Sequence, residues 1–142
     1  METSLADNLT AWRRHLHAHP GLTLHEAETA AFVVRKLREL GVTEIVEGFG
    51  GHGVVATLRR GGTGGNRAVG LRGDMDALPI QEVAEALPWR STNPGVMHAC
   101  GHDGHTTALL GAAALLQADQ GWSGTVHLVF QPAEEGGRGA ET

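Results

Sequence analysis

Met97–His105 reads MHACGHDGH. Three histidines, one aspartate and the chain's only cysteine fall between His98 and His105, and all of these side chains offer lone pairs to a metal ion. An apolar run, Ala108–Leu116 (ALLGAAALL), follows at once. It is apolar on most sides and predicts a buried helix near residues 104–119. In an extended loop Cys100 and His102, two apart, point the same way. A thiolate beside an imidazole suits zinc or a similar ion. On this reading Asp103 and Gly104 open the helix, whose N-terminus stabilises the thiolate.

A second stretch pairs with the first. Thr125–Phe130 (TVHLVF) is apolar at nearly every position, which predicts a strand covered on both faces. It runs directly into Gln131–Glu135 (QPAEE). Adjacent carboxylates usually mark solvated surface, but at the end of so apolar a strand they meet neighbouring loops. One can ligate a metal, and the other can accept a proton from a water that the metal acidifies.

The remaining chain reads as alternating helices and strands. Leu5, Leu9, Trp12 and Leu16 share one helix face, with the helix near 5–19 ended by Pro20-Gly21. Thr23 and Glu26 have the spacing of a capping box for a helix near 25–40, ended by Gly41. His15, His17 and His19 read as polar surface and helix-end contacts, because no thiol or carboxylate stands beside them. Strands are expected at Thr43–Val46, Gly53–Leu58 and Ala68–Leu71, the last two joined as a hairpin by the GGTGGN segment, residues 61–66. No Lys-Ser/Thr ends that segment, so a phosphate loop is not read there. Asp74 and Asp76, in RGDMDALP (72–79), come just after a strand, where α/β folds meet their ligands. Trp89 reads as cover for the core.

Composition narrows the classes. The 142 residues are 41% hydrophobic and 19% charged, which fits one globular domain with a core. A net charge of −5 gives no basic footprint for nucleic acid or an anionic membrane surface. No apolar run of about 18 residues is present to span a bilayer. METSLADNLTAW lacks the basic-then-apolar pattern of a signal peptide. A lone cysteine cannot form an internal disulfide and suits a reducing compartment. Together these favour the cytoplasm.

In chain order, LHAHPG, RGDMDALP, MHACGHDGHT and GTVHLVFQPAEEGGRGA resemble the N-terminal part of the M20 metallopeptidase family. The likeness is to its amidohydrolase branch, which includes hippurate hydrolase, N-acyl-amino-acid hydrolases and indole-3-acetyl-amino-acid hydrolases. The resemblance implies an α/β fold, a mixed β-sheet flanked by helices, forming part of a two-metal catalytic domain. It implies that Cys100, His102 and Glu135 hold metal and that Glu134 is the general base. Asp76 would orient a ligand from behind, and His98, Asp103 and His105 would support the site. Asp74 stands where the wider family has a histidine ligand and is left out of the metal set. The implied cofactors are two divalent ions (zinc, manganese, cobalt or nickel). The implied substrate is a small N-acyl amino acid or dipeptide-like amide, and the implied assembly a homodimer or tetramer.

The family's further histidine ligands and its lid domain do not occur before Thr142. Met1 looks like a true start. Residues 1–142 are therefore expected to be an incomplete catalytic domain, inactive alone and with an exposed apolar edge or face. Two rival readings stand beside this one. Cys100 could be the nucleophile of a thiol hydrolase. Alternatively His98, Cys100, His102 and His105 could hold one structural zinc in a non-catalytic module.

Overall fold

The computed structural model describes residues 4–61, 67–137 and 139–140. Helix α1 is Leu5–Ala18, α2 Ala27–Glu39 and α3 His102–Ala118. The strands are β1 (Glu44–Phe49), β2 (Gly53–Arg60), β3 (Ala68–Asp74) and β4 (Gly124–Gln131). They form one mixed sheet in the order β1-β2-β4-β3. β1/β2 and β2/β4 are antiparallel, whereas β3 and β4 are parallel.

That order corrects the expected hairpin, since β4 lies between β2 and β3. Of the connecting segment 61–66, only Gly61 is among the described residues. In the central position the apolar β4 is hydrogen-bonded along both edges, which a β2–β3 hairpin would have denied it. The parallel β3–β4 pair is joined through α3, the crossover that parallel strands require.

Sequence periodicity accounts for the core. Val54, Ala56 and Leu58 of β2 stand opposite Phe130, Leu128 and Val126 of β4, and they pack against Leu16, Val33, Leu37, Leu110 and Ala113 from the three helices. On the opposite face none of Val46, Val55, Thr57, His127 and Val129 is fully buried. Within the described residues β4 is therefore covered on one face, not two. Along the β3 edge Val69 is 55% and Leu71 36% exposed.

Two helix ends differ from expectation. α2 closes as expected, with Gly41 N–H donating to Arg38 and Val42 N–H to Leu37, the paired bonds of a Schellman motif. Its start has no side-chain cap: Thr23 and Glu26 reach elsewhere, as described below. α3 begins at His102, two residues early. Gly101 is left-handed (φ 88°), so the loop turns sharply there and is not extended. Gly73 of β3 lies so close to α3 that an added Cβ would meet the carbonyl oxygen of His105 at 3.0 Å.

Leu128 is fully buried in the central strand. Leu128→Ala is expected to lower unfolding stability by about 2–5 kcal/mol, measured by urea denaturation.

Candidate metal centre

Because β3 and β4 run parallel, their carboxyl ends lie together, and α3 starts from the same end. Asp74 ends β3 and pairs with Gln131 of β4. Met75 N–H then continues the ladder to the Gln131 carbonyl at 3.0 Å. The RGDMDALP and QPAEE segments and the first turn of α3 thus meet at one point. Thr106 Oγ1 ties that turn to the Asp74 carbonyl at 2.8 Å.

The QPAEE turn is held by two buried carboxylates. Glu26 Oε1 accepts from Ala133 N–H at 2.8 Å. Asp76 accepts from Glu134 N–H at 3.1 Å and from Glu135 N–H at 3.0 Å. Three consecutive amides are captured in this way, and Ala133 is kept at a left-handed φ of 52° that costs an alanine roughly 1–2 kcal/mol. Thr23 Oγ1 donates to the same Asp76 carboxylate at 2.7 Å. The Thr23/Glu26 pattern therefore serves the turn 110 residues away instead of capping α2. Glu26 gave no signal of this in the sequence, because a capping box and a long-range tether look alike locally.

His102 is buried and its tautomer is fixed. Nδ1 lies 2.8 Å from the Asp76 carbonyl oxygen. A carbonyl only accepts, so Nδ1 carries a proton, and Nε2 is the ring nitrogen left to face a ligand. Around Nε2 stand Asp74 Oδ1, Glu134 Oε2 and Glu135 Oε1, each at 3.7 Å. None is close enough for a hydrogen bond. Two ligands held about 2.0–2.2 Å from a tetrahedral ion are roughly 3.4 Å apart, so the spacing fits atoms waiting around an ion. The ligand atoms of Cys100, His102 and Glu135 lie within 4.8 Å of one another, as do those of Asp74, His102 and His105. The donor set of thiol, imidazole and carboxylate fits zinc-like ions.

Asp74, left out of the metal set on sequence grounds, faces this space. Its Oδ1 accepts from His105 Nδ1 at 2.7 Å and its Oδ2 from Arg72 at 2.8 Å. Burial opposes its ionisation, but His105, His102 and Arg72 outweigh burial and hold the carboxyl below its usual range. The Cys100 thiol is exposed. The neighbouring Glu135 carboxylate first, then desolvation, Glu134 and Asp74, push its pKa up. The expected thiolate stabilisation at the helix start is overridden by these negative neighbours, which also disfavours the thiol-hydrolase reading. His98 is buried, neither ring nitrogen has a partner, and burial pushes its pKa down to about 4. Among the described residues neither ligand cluster includes it, so the four-residue structural zinc is not assembled.

His17 is a further correction. It is no surface histidine: Nδ1 lies 2.9 Å from Asp103 Oδ2 and Nε2 3.1 Å from Glu82 Oε1. Burial alone would lower its pKa, yet the two carboxylates raise it. His15 and His19 behave as expected, with His19 Nδ1 on the His15 carbonyl at 2.7 Å. Trp89 stacks under the Arg14 guanidinium at 3.9 Å and lines a cavity of about 390 Å3 with His17, Glu82 and Asp103. It is a pocket wall rather than core cover.

Residues 70–142 match the model of peptidase family M20/M25/M40, and the chain belongs to that family. Hippurate hydrolase from Campylobacter jejuni is 50% identical over 129 residues, covering 91% of this chain and 32% of the relative. N-acetyl-L-cysteine deacetylase from Bacillus subtilis is 47% identical over 139 residues, covering 97% of this chain and 32% of the relative. YxeP from Bacillus subtilis, a dinuclear metal-binding M20 peptidase of known structure, superposes with a TM-score of 0.84 at 41% identity, over 92% of this chain and 36% of that one. The chain spans about a third of the length of the curated relatives it matches. No helix among the described residues is long and apolar enough to cross a membrane.

The buried ionisable groups set a pH profile. The folded-state pKa of His17 is above its ordinary 6.5, so its contribution to stability is complete below about pH 6.5 and is lost as pH rises through the raised value. Asp74 and Glu82 are lowered from 3.8 and 4.5. Their contribution is present above those values and is lost as pH falls through the lowered ones. Urea unfolding across pH should show both flanks, and in His17→Gln the loss on the alkaline flank, above pH 6.5, should be missing.

Proposed function

We propose that this chain carries the metal-holding and proton-transferring part of a hydrolase that cleaves the amide bond of N-acyl amino acids or small dipeptide-like substrates. The observation that carries the reading is His102 Nε2, ringed by Glu134, Glu135 and Asp74 oxygens at 3.7 Å with Cys100 beside Glu135. Membership of the M20 family and likeness to a dinuclear relative support two divalent ions at such a site.

Cys100, His102 and Glu135 are the proposed ligands. A divalent ion there supplies Lewis acidity, acidifying water and polarising an amide carbonyl. Glu134, whose side chain is more exposed than that of Glu135 (39% against 22%), is open to substrate and takes the proton of the attacking water. It then gives that proton to the departing amine. Asp76 positions both partners of this chemistry, fixing the His102 tautomer through its carbonyl and the Glu134–Glu135 backbone through its carboxylate. Residues 1–142 are the N-terminal part of the catalytic unit, three ligands being too few for two ions that each take about four. Zinc, manganese, cobalt and nickel all suit the donors, and the thiol favours zinc. A cytoplasmic location and a dimeric or tetrameric assembly belong to the same proposal.

Three outcomes test it. In the hydrolase that contains this chain, Glu134→Gln should lower turnover of N-acyl amino acids about 10²–10⁴-fold while zinc binding stays within about threefold. Chelator should abolish turnover and added metal restore it; activity that survives chelation would refute a metal-dependent reaction. The 142-residue chain alone, loaded with zinc or manganese, should show no turnover. Metal-dependent hydrolysis by it, abolished in Glu134→Gln, would show that three ligands suffice.

A further inference from the structure

We propose that His17 is a positioning residue for the metal centre: its imidazole, gripped between Asp103 and Glu82, locks the first turn of α3 and so the placement of Cys100 and His102. The inference rests on the metal-site reading above.

The start of α3 needs such a lock. Its N-cap is Gly101, left-handed and with no side chain to accept the helix's first amides. On one side the turn is tied to β3 through His102, His105 and Thr106. On the other side the tether is Asp103, which follows His102 directly. Its side chain is fully buried. Oδ2 meets His17 Nδ1 at 2.9 Å and the exposed Arg13 Nε at 3.4 Å, while Oδ1 has no partner. His17 is thus the one buried partner of Asp103's side chain among the described residues.

The other half of the grip is equally closed. The Glu82 side chain is 4% exposed. Its Oε1 faces His17 Nε2 at 3.1 Å and its Oε2 takes Ser91 N–H at 2.6 Å. Both ring nitrogens face carboxylate oxygens, so the ring donates twice and is an imidazolium. Three segments distant in sequence are pinned by this one ring. They are the end of α1, the 80–97 loop, which also bonds the Ala18 and Pro20 carbonyls through Thr92 and Asn93, and the metal-loop end of α3. Without the imidazolium, Asp103 and Glu82 would be buried anions facing one another, and the cheapest relief is for the α3 turn to move outward. His17 acts one step further out than the direct partners of metal ligands, whose loss costs about 10–100-fold in affinity, by holding the turn that carries His102.

The test uses the 142-residue chain, with His17→Gln against a distant core variant, Val33→Ala, as the control for general loss of stability. Three results are expected. Ring ¹⁵N NMR of the unsubstituted chain at neutral pH shows both His17 nitrogens protonated. Amide exchange over residues 97–105 without metal rises about tenfold or more in His17→Gln but not in Val33→Ala. Zinc binding weakens about tenfold or more in His17→Gln and stays within about twofold in Val33→Ala. If His17→Gln does not fold, Glu82→Gln replaces it, with changes expected in the same direction. A neutral His17 ring, unchanged exchange over 97–105, or equal loss in the core control would overturn the inference. If the unsubstituted chain takes up no zinc, the metal-site reading fails, and the exchange data still decide whether His17 positions the loop.

Discussion

The site depends on one buried carboxylate. Asp76 accepts Thr23 Oγ1 and the amides of Glu134 and Glu135, and its own carbonyl takes the His102 ring proton. A carboxylate removed from water is costly unless its lone pairs are satisfied. Here two of the bonds that satisfy it also fix the Glu134–Glu135 backbone that the proposed chemistry uses. The α1–α2 connection and the β4 end meet on the Asp76 carboxylate, and the α3 start meets them through the carbonyl of the same residue.

The sheet makes this possible. Parallel β3 and β4 deliver Asp76 and the double glutamate to the same end, and the crossover helix returns its first turn there. The apolar stripe of β2 and β4 against the helices supplies the driving force for that arrangement. It also excludes water from behind His102 and Asp103, both buried. In the low dielectric that results, hydrogen bonds between ionised groups are stronger than they would be in water, and unsatisfied ones cost more.

Much of this was legible in the chain, for identifiable reasons. The periodic apolar positions of α1 and α2 and the ligand-rich run at 98–105 are local signals, and the elements fell where those signals lie. Strand order was not legible, because the place of β4 between β2 and β3 follows from pairing along both its edges, which no window of sequence contains. Thr23 and Glu26 have one local pattern and a different long-range use. His17 stood beside no acid in sequence, since Glu82 and Asp103 are 65 and 86 residues away. A histidine's acidic company is set through space, and no stretch of sequence around His17 contains it. Asp74 was set aside by analogy with relatives, although its carboxylate faces His102 Nε2.

Gly73 sets the size of the site. At that residue the α3 backbone lies close against β3: a Cβ added at Gly73 would meet the His105 carbonyl at 3.0 Å and the Leu109 side chain at 3.5 Å. The gap between the helix that holds His102 and the strand that leads to Asp74 and Asp76 is therefore set by glycine, and a larger residue at 73 would push the two apart. In the metal site proposed above, that gap suits ions that prefer bond lengths near 2.0–2.2 Å better than calcium, which seeks six to eight oxygens at 2.3–2.6 Å.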